Sequence, residues 1–185
     1  MLADPRHSRL VLINPARCVL GKRPAGFAAR WHESLSLLPH VMDIFGLGIH
    51  AVGSFDPGLL PARLADAVTM LDTDGLSLWQ DERFTAHLSA AGIGVLFFGG
   101  AWLEEDVLIA ALQGARLGYD VRLLADLSRP RDEAMRPLML DRLALHGVLS
   151  TTVRQAMLEW AVCYENPVVM QKVQQLLAPG ADGLS

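Results

Sequence analysis

Short apolar segments alternate along this chain with longer segments in which apolar residues recur at helical spacing. This alternation is typical of a parallel β-sheet covered by α-helices. The segments predicted as strands are 9–13, 49–53, 67–71, 93–98, 119–125 and 148–150. Segment 93–98 is almost wholly apolar, which predicts a central strand buried on both faces.

Helical spacing predicts five helices and a sixth helical stretch that ends near Phe45, where Gly46 and Gly48 supply a stop. The five helices are predicted at 81–91, 104–117, 132–145, 152–164 and 167–177. No linker, internal repeat or low-complexity tract interrupts the pattern. The 185 residues, of which 51% are hydrophobic and 19% charged, therefore predict one α/β domain with a substantial core.

The composition argues against several classes of function. A net charge of −4 is too small and too mixed for a nucleic-acid-binding surface, so we expect no nucleic-acid partner. No run of eighteen apolar residues occurs, so we expect no membrane span. The first ten residues lack the apolar core of a secretory signal, and the only two cysteines, Cys18 and Cys163, lie far apart in sequence. A cytoplasmic protein with free thiols is the simplest interpretation.

In sheets of this kind, ligands bind beyond the carboxyl ends of the strands, near the point where the strand order reverses. That rule directs attention to the segments 14–20, 54–58, 72–79, 99–106 and 126–131. Gly99-Gly100 lacks the spacing of a dinucleotide-binding loop, so we expect no cofactor. The six histidines form no closely spaced cluster, so we expect no metal.

Segment 78–160 carries several motifs in order. The helix motif Trp79-Gln-Asp-Glu-Arg-Phe84 precedes the strand end Phe97-Phe98-Gly99-Gly100. Gly100-Ala-Trp-Leu-Glu-Glu-Asp-Val107 follows, and Leu124-Ala-Asp126 closes the next strand. Together these motifs resemble the isochorismatase-like cysteine hydrolases, especially their oligomeric YcaC-type branch. The resemblance covers most of the chain but is poor between Cys18 and Asp74.

The resemblance implies a three-layer α/β/α sandwich whose mostly parallel sheet has six strands in the order 3-2-1-4-5-6. It also implies a cis peptide between Ala101 and Trp102. Independently of the resemblance, we expect a homo-oligomer, because the C-terminal helix offers apolar residues beyond those needed for the core, namely Val168, Val169, Val173, Leu176 and Leu177. In the family, an aspartate, a lysine and a cysteine at three strand ends cooperate so that the thiolate attacks an amide carbonyl. The equivalent positions fall on Asn14, near Asp72, and on Asp106, so none of the three catalytic identities is retained.

Asp106 has two interpretations. Together with Glu104 and Glu105 it could complement the dipole and cap the N–H groups of a helix start, which is the interpretation we favour. Alternatively it replaces the cysteine as a base or nucleophile, although a carboxylate at a helix start should have a depressed pKa and be a weak base. The neighbouring acids would suit a cationic ligand.

The other candidates also have two interpretations each. Asn14 either orients a ligand or satisfies backbone groups at the strand end. Cys18 is either a displaced nucleophile or, as we favour, a buried apolar side chain. Trp102, beside Ala101 and Glu105, either lines or plugs a pocket or packs in the core, and Trp79 is grouped with these as a ligand-binding candidate.

Three functions remain open. The leading hypothesis is a catalytically degenerate homologue that binds an unidentified small molecule or serves as an assembly partner. The second is an atypical hydrolase that uses Asp106. The third is a structural subunit that assembles with an active paralogue.

Overall fold

The structure, a computed structural model, describes residues 2–19 and 26–178. Its six strands are β1 (Ser8–Ile13), β2 (Ile49–Val52), β3 (Thr69–Leu71), β4 (Val95–Ala101), β5 (Asp120–Arg129) and β6 (Leu149–Thr151). Its helices are α1 (Phe27–Phe45), α2 (Ala62–Ala67), α3 (Glu82–Ala90), α4 (Leu108–Arg116), α5 (Arg136–Leu145), α6 (Val153–Cys163) and α7 (Pro167–Leu176).

The strands form one sheet in the order β3-β2-β1-β4-β5-β6, and every neighbouring pair is parallel. This confirms the predicted topology. The order reverses between β1 and β4, which pair from Ser8↔Val95 to Ile13↔Gly100. A ligand site is therefore expected beyond Ile13, where the chain leaves β1.

Two apolar layers sandwich the sheet because alternate strand residues face opposite sides. Leu10 and Leu12 of β1 pack with α1, α6 and α7 on one side. Val11 and Ile13 pack with α3, α4 and α5 on the other. The three-layer α/β/α arrangement is thus the one that the sequence predicts.

Two predicted elements differ most from the structure. The helix predicted at 104–117 is divided: Leu103–Val107 is an irregular turn in which Glu105 has non-helical angles (φ −114°, ψ −107°), and α4 begins only at Leu108. The strand predicted at 119–125 extends to Arg129, after a shift of register between Phe98 and Gly100 on β4. Apolar spacing alone does not reveal such backbone irregularities.

The C-terminal helix is also less exposed than its sequence suggests. Val173 and Leu177, predicted to be surplus to the core, are 0% and 7% exposed and belong to it, whereas Val168 is 70% exposed. Among the described residues, no helix combines the length and apolar character needed to cross a membrane.

Candidate functional site

A cavity of about 280 Å³ opens beyond the carboxyl ends of β1, β2 and β3. Its lining residues are Asn14, Arg17, Gly53, Ser54, Asp72, Thr73, Asp74, Gly75 and Asp106. The cavity therefore lies where the strand order predicts a ligand site, and it brings together the three positions Asn14, Asp72 and Asp106. Its volume suits a small molecule.

Asn14 is the residue at which β1 leaves the sheet. Its φ of 47° lies in the left-handed region, which asparagine tolerates better than most residues. Its side chain is buried, and its Oδ1 accepts a hydrogen bond from Ser54 N at 2.8 Å. Its Nδ2 donates to Oδ2 of Asp106. Asn14 therefore satisfies the backbone after β2, as one of its two interpretations held, and it also holds the carboxylate of Asp106. Orientation of a ligand by Asn14 stays a prediction.

Asp106 reaches the cavity because the turn before α4 is irregular. The residue is 7% exposed, and Oδ2 also faces Arg17 Nη1 at 3.5 Å. Gly75 makes this close approach feasible, since a Cβ there would lie 2.9 Å from the Cβ of Asp106. The carboxylate thus sits between an amide donor and a guanidinium at the inner wall of the cavity.

The pKa of Asp106 is raised, contrary to the depressed value expected from a helix start. Burial is the largest cause, and the carboxylates of Asp74 and Glu105 add to it; Arg17 and the amide of Asn14 act in the opposite direction. The expectation fails because α4 begins two residues later. The side chain therefore points into a partly dry, acidic pocket instead of at free helix N–H groups.

The favoured capping role is also wrong for the three neighbouring acids. Val107, the N-cap residue of α4, makes no side-chain capping hydrogen bond, and none of the three acids is the N-cap residue. Glu104 accepts from the backbone N–H of Arg131 at 2.8 Å, and Glu105 pairs with the guanidinium of Arg131. Glu104 and Glu105 therefore hold the loop after β5, and of the three acids only Asp106 lines the cavity.

Arg17 was not singled out in the sequence as a functional residue. It lies on a single turn of helix, Pro15–Val19, and among the described residues that line the cavity it is the one cationic side chain. The strand-order rule had marked segment 14–20, of which position 20 lies outside the described residues. No sequence pattern reveals its role, because Arg17 approaches Asp106, which is 89 positions away, only in the folded chain.

Four further candidates lie outside the lining of the cavity. Trp79 donates from Nε1 to Ala110 O at 2.9 Å and packs edge-on against Phe84, which places it between helices. Ala101 is fully buried, and the peptide that joins it to Trp102 is cis, as the resemblance implied. The guanidinium carbons of Arg129 and Arg131 lie 5.1 and 4.8 Å from the centre of the Trp102 ring. Glu105 pairs with Arg131. Ligand binding by Trp79, Ala101, Trp102 and Glu105 stays a prediction.

The two thiols are far from suitable for catalysis. Cys18 is 1% exposed, and burial raises its pKa to about 12. Cys163 is on α6, does not line the cavity, and also has a raised pKa because of burial. The favoured interpretation of Cys18 as a buried apolar side chain fits this environment. Among the described residues, no three histidines, cysteines, aspartates or glutamates are arranged to hold a metal ion.

Comparison of the whole structure with solved structures identifies its fold. YcaC from Escherichia coli, an octameric hydrolase of unknown specificity, matches with a TM-score of 0.76 over 98% of this chain and 93% of that chain, at 19% identity. An isochorismatase from Pseudomonas putida matches with a TM-score of 0.65 over 83% and 91% of the two chains, at 16% identity. The fold is isochorismatase-like.

The isochorismatase-like fold hosts more than one activity. The MAR1 ribonuclease from Caenorhabditis elegans matches with a TM-score of 0.72 at 17% identity, over 100% of this chain and 97% of that chain. No protein-family model and no curated protein matches the sequence. At such identities the likeness establishes the fold, and the activity has to be argued from the cavity.

Proposed function

We propose that this isochorismatase-like protein binds a small cationic molecule in the cavity and does not carry out thiol-dependent hydrolysis. The observation that supports this proposal is the position of Asp106. A buried carboxylate, held by Asn14, faces an open cavity at the place where the sequence resemblance puts the family's nucleophilic thiol. The cavity is thereby suited to bind charge and not to form a covalent intermediate.

Hydrolysis by a thiolate requires a cysteine that ionises near neutral pH beside a base. Neither Cys18 nor Cys163 lines the cavity, and burial raises the pKa of both. At the strand end, Asn14 offers an amide that cannot accept a proton at neutral pH. We therefore expect no turnover of nicotinamide, isochorismate or related amides through a thiol.

The charges of the lining favour a cationic ligand. Asp72, Asp74 and Asp106 supply three carboxylates, and Arg17 supplies one guanidinium. Arg17 is 39% exposed at the side chain and lies 3.5 Å from Asp106, so it neutralises that carboxylate only in part. An ammonium or amidinium group would gain charge-assisted hydrogen bonds in this setting.

The test compares charged probes with uncharged counterparts of similar shape. Calorimetric titration should detect benzamidine and butylamine but not benzamide or butanol. Asp106→Asn keeps the size of the side chain and removes its charge, so it should weaken benzamidine binding at least about tenfold. Asp43→Asn is the matched control, because Asp43 is paired with Arg63 outside the cavity. Equal binding of benzamide and benzamidine would contradict the proposal.

A second function is favoured by the raised pKa of Asp106. A carboxylate that holds its proton more tightly than usual is a better general base, and this one faces a cavity that could hold water and substrate. An atypical hydrolase would then use Asp106 without any thiol. Turnover of an amide or ester by the unaltered protein, abolished by Asp106→Ala and retained in Cys18→Ala, would establish this alternative in place of a simple binding function.

A further inference from the structure

Three basic side chains meet at the end of the sheet opposite the cavity. Arg9 is the second residue of β1, His50 the second residue of β2, and His87 lies on α3. His50 is in register with Val11, and Arg9 shares the face of Val11 because alternate residues of a strand face the same side. Asn14 follows Arg9 by five positions, roughly 17 Å of extended chain.

The Arg9 guanidinium lies against the backbone just before β2. A Cβ on Gly48 would be only 1.6 Å from Arg9 Nη1, so the guanidinium occupies the space that a larger residue would fill. The imidazoles of His50 and His87 are perpendicular, with ring centres 5.0 Å apart. The sequence thus uses a glycine to bring the arginine beside a histidine pair.

These groups lack the partners that buried polar groups usually have. Nε of Arg9 and Nδ1 of His50 are both inaccessible to solvent and make no hydrogen bond with the described residues. No carboxylate of the described residues forms an ion pair with Arg9, and burial alone is the cause of its lowered pKa. His50 is 2% exposed, whereas His87 is exposed and opens the cluster to solvent. A half-buried cation without a counter-charge is costly.

No carboxylate of the described residues contributes to the shifted pKa of Arg9 or of His50. β1 contributes Arg9, β2 contributes His50, and α3 contributes His87 and the aromatic ring of Phe84. β3 contributes the neutral Thr69, which is in register with His50. Burial, followed by the charges of Arg9 and His87, lowers the pKa of His50 to about 4. An anion at the cluster would remove that repulsion.

We propose that Arg9, His50 and His87 form a binding site for a small oxyanion of the phosphate type. The guanidinium presents two parallel N–H donors to such a group, and each protonated imidazole presents one more. The oxyanion supplies the counter-charge that Arg9 lacks and the acceptor that Nδ1 of His50 lacks. It reaches the site from the side of His87. This site is separate from the cavity, and it does not depend on the function proposed for Asp106.

Inorganic phosphate is the probe for the test. Imidazole resonances of the full chain are followed by NMR at pH 6 while phosphate replaces chloride at constant ionic strength. Phosphate should shift the His50 and His87 resonances saturably and raise the pKa of His50 by about one unit or more. Arg9→Met should weaken the response at least about tenfold, and Arg9→Lys should restore part of it. Arg83→Met is the control, since the exposed Arg83 on α3 is already paired with Asp81.

Four results would overturn the proposal. One is the absence of any shift of the His50 and His87 resonances when phosphate is added to the unaltered protein. Another is an equal response in Arg9→Met, shown to be folded by its amide spectrum, or a response lost only in Arg17→Met. The last is a shift of the His50 and His87 resonances when the protein is diluted but not when phosphate is added. That result would mean that a carboxylate of a second copy of this chain occupies the site.

Discussion

The side-chain amide of Asn14 donates a hydrogen bond to the carboxylate of Asp106, joining the end of β1 to the turn before α4. The two residues are 92 positions apart in sequence. If they stand where the sequence resemblance places them, the acid of the family's site has moved from the strand end to the nucleophile position. The pair then keeps one charge and one hydrogen bond, but the charge lies on the other partner.

The first prediction concerns Asn14→Asp. This change keeps the shape of residue 14 and its tolerance of positive φ, but it sets a second carboxylate against Asp106. Two adjacent carboxylates share one proton, so the folded variant holds a proton at pH values where both acids of the unfolded chain have lost theirs. Stability therefore falls as pH rises: we expect a loss of about 2–4 kcal/mol at pH 8 that shrinks toward pH 5.

Urea unfolding at several pH values measures this effect. Asn14→Ala is the matched variant, because it removes both hydrogen bonds without adding charge. Near pH 8 it should cost about 2–4 kcal/mol, from the unsatisfied Ser54 N–H and Asp106 carboxylate and from alanine's poor fit to positive φ. Because the amide of Asn14 lowers the pKa of Asp106, this loss also shrinks toward low pH, but less than the loss in Asn14→Asp. A loss in Asn14→Asp that does not vary with pH would show that the two side chains do not interact.

The sequence was sufficient for the fold because the fold depends on repeated features. Alternation of apolar strands and amphipathic helices predicted the order of elements, and the family motifs supplied the strand order. The site depended on single backbone events that periodicity does not record. One non-helical residue, Glu105, turns Asp106 into the cavity and reverses the direction expected for its pKa. Arg17 was missed because only the folded chain brings it to Asp106.

The second prediction concerns the close contact between the paired strands β1 and β4. Gly100 has a φ of 122°, and a Cβ there would lie 1.8 Å from the backbone oxygen of Ile13. Gly100→Ala should therefore cost more than about 4 kcal/mol or prevent folding. Gly118 has a φ of 93° but no atom within 4 Å of an added Cβ, so Gly118→Ala should cost only about 1–3 kcal/mol. Equal losses in thermal unfolding would refute the crowding argument.

The third prediction concerns the pH dependence of stability in chloride buffer without phosphate. The pKa of His50 is about 4 in the folded protein, below its ordinary value of 6.5, so between these values the unfolded chain binds the extra proton. Stability is therefore lost as pH falls from about 6.5 toward 4. From pH 7 to pH 5, native protein should lose about 1–2 kcal/mol more than His50→Leu does. The exposed His146→Leu should behave like the native protein.

The fourth prediction is self-association. Val162 on α6 is 50% exposed and lines an apolar groove that contains Met170, and Val168 on α7 is 70% exposed. Apolar surface of this kind often marks an interface. Sedimentation velocity at micromolar concentration should show an oligomer, and Val162→Lys with Val168→Lys should shift it toward smaller species. Leu145→Lys, on α5 and 86% exposed, is the control. A monomeric native protein would contradict the prediction.

The fifth prediction is a reconstruction: Asn14→Asp, Asp72→Lys and Asp106→Cys, made together in a Cys163→Ser background. Asn14 and Asp106 are in contact, and Asp72 lines the same cavity. The new thiol at position 106 would lie near Arg17 and an added lysine. Both cations stabilise the thiolate, so its pKa should fall below the usual value of about 8.5. Cys18 should not be alkylated, because it is buried.

Alkylation by iodoacetamide, followed by mass spectrometry from pH 5 to pH 9, measures that pKa. The matched variant carries Asp106→Cys alone in the same Cys163→Ser background; its thiol should react more slowly at pH 6, because the new lysine is absent. Turnover is then assayed on a panel of amides and vinyl ethers. A reactive thiol with hydrolysis would mean that the cavity retains the family's geometry and that only its chemistry has changed. A thiol that titrates like free cysteine in both variants would mean that the three positions do not correspond to the family's triad, because the same cations and carboxylate would then fail to act on it.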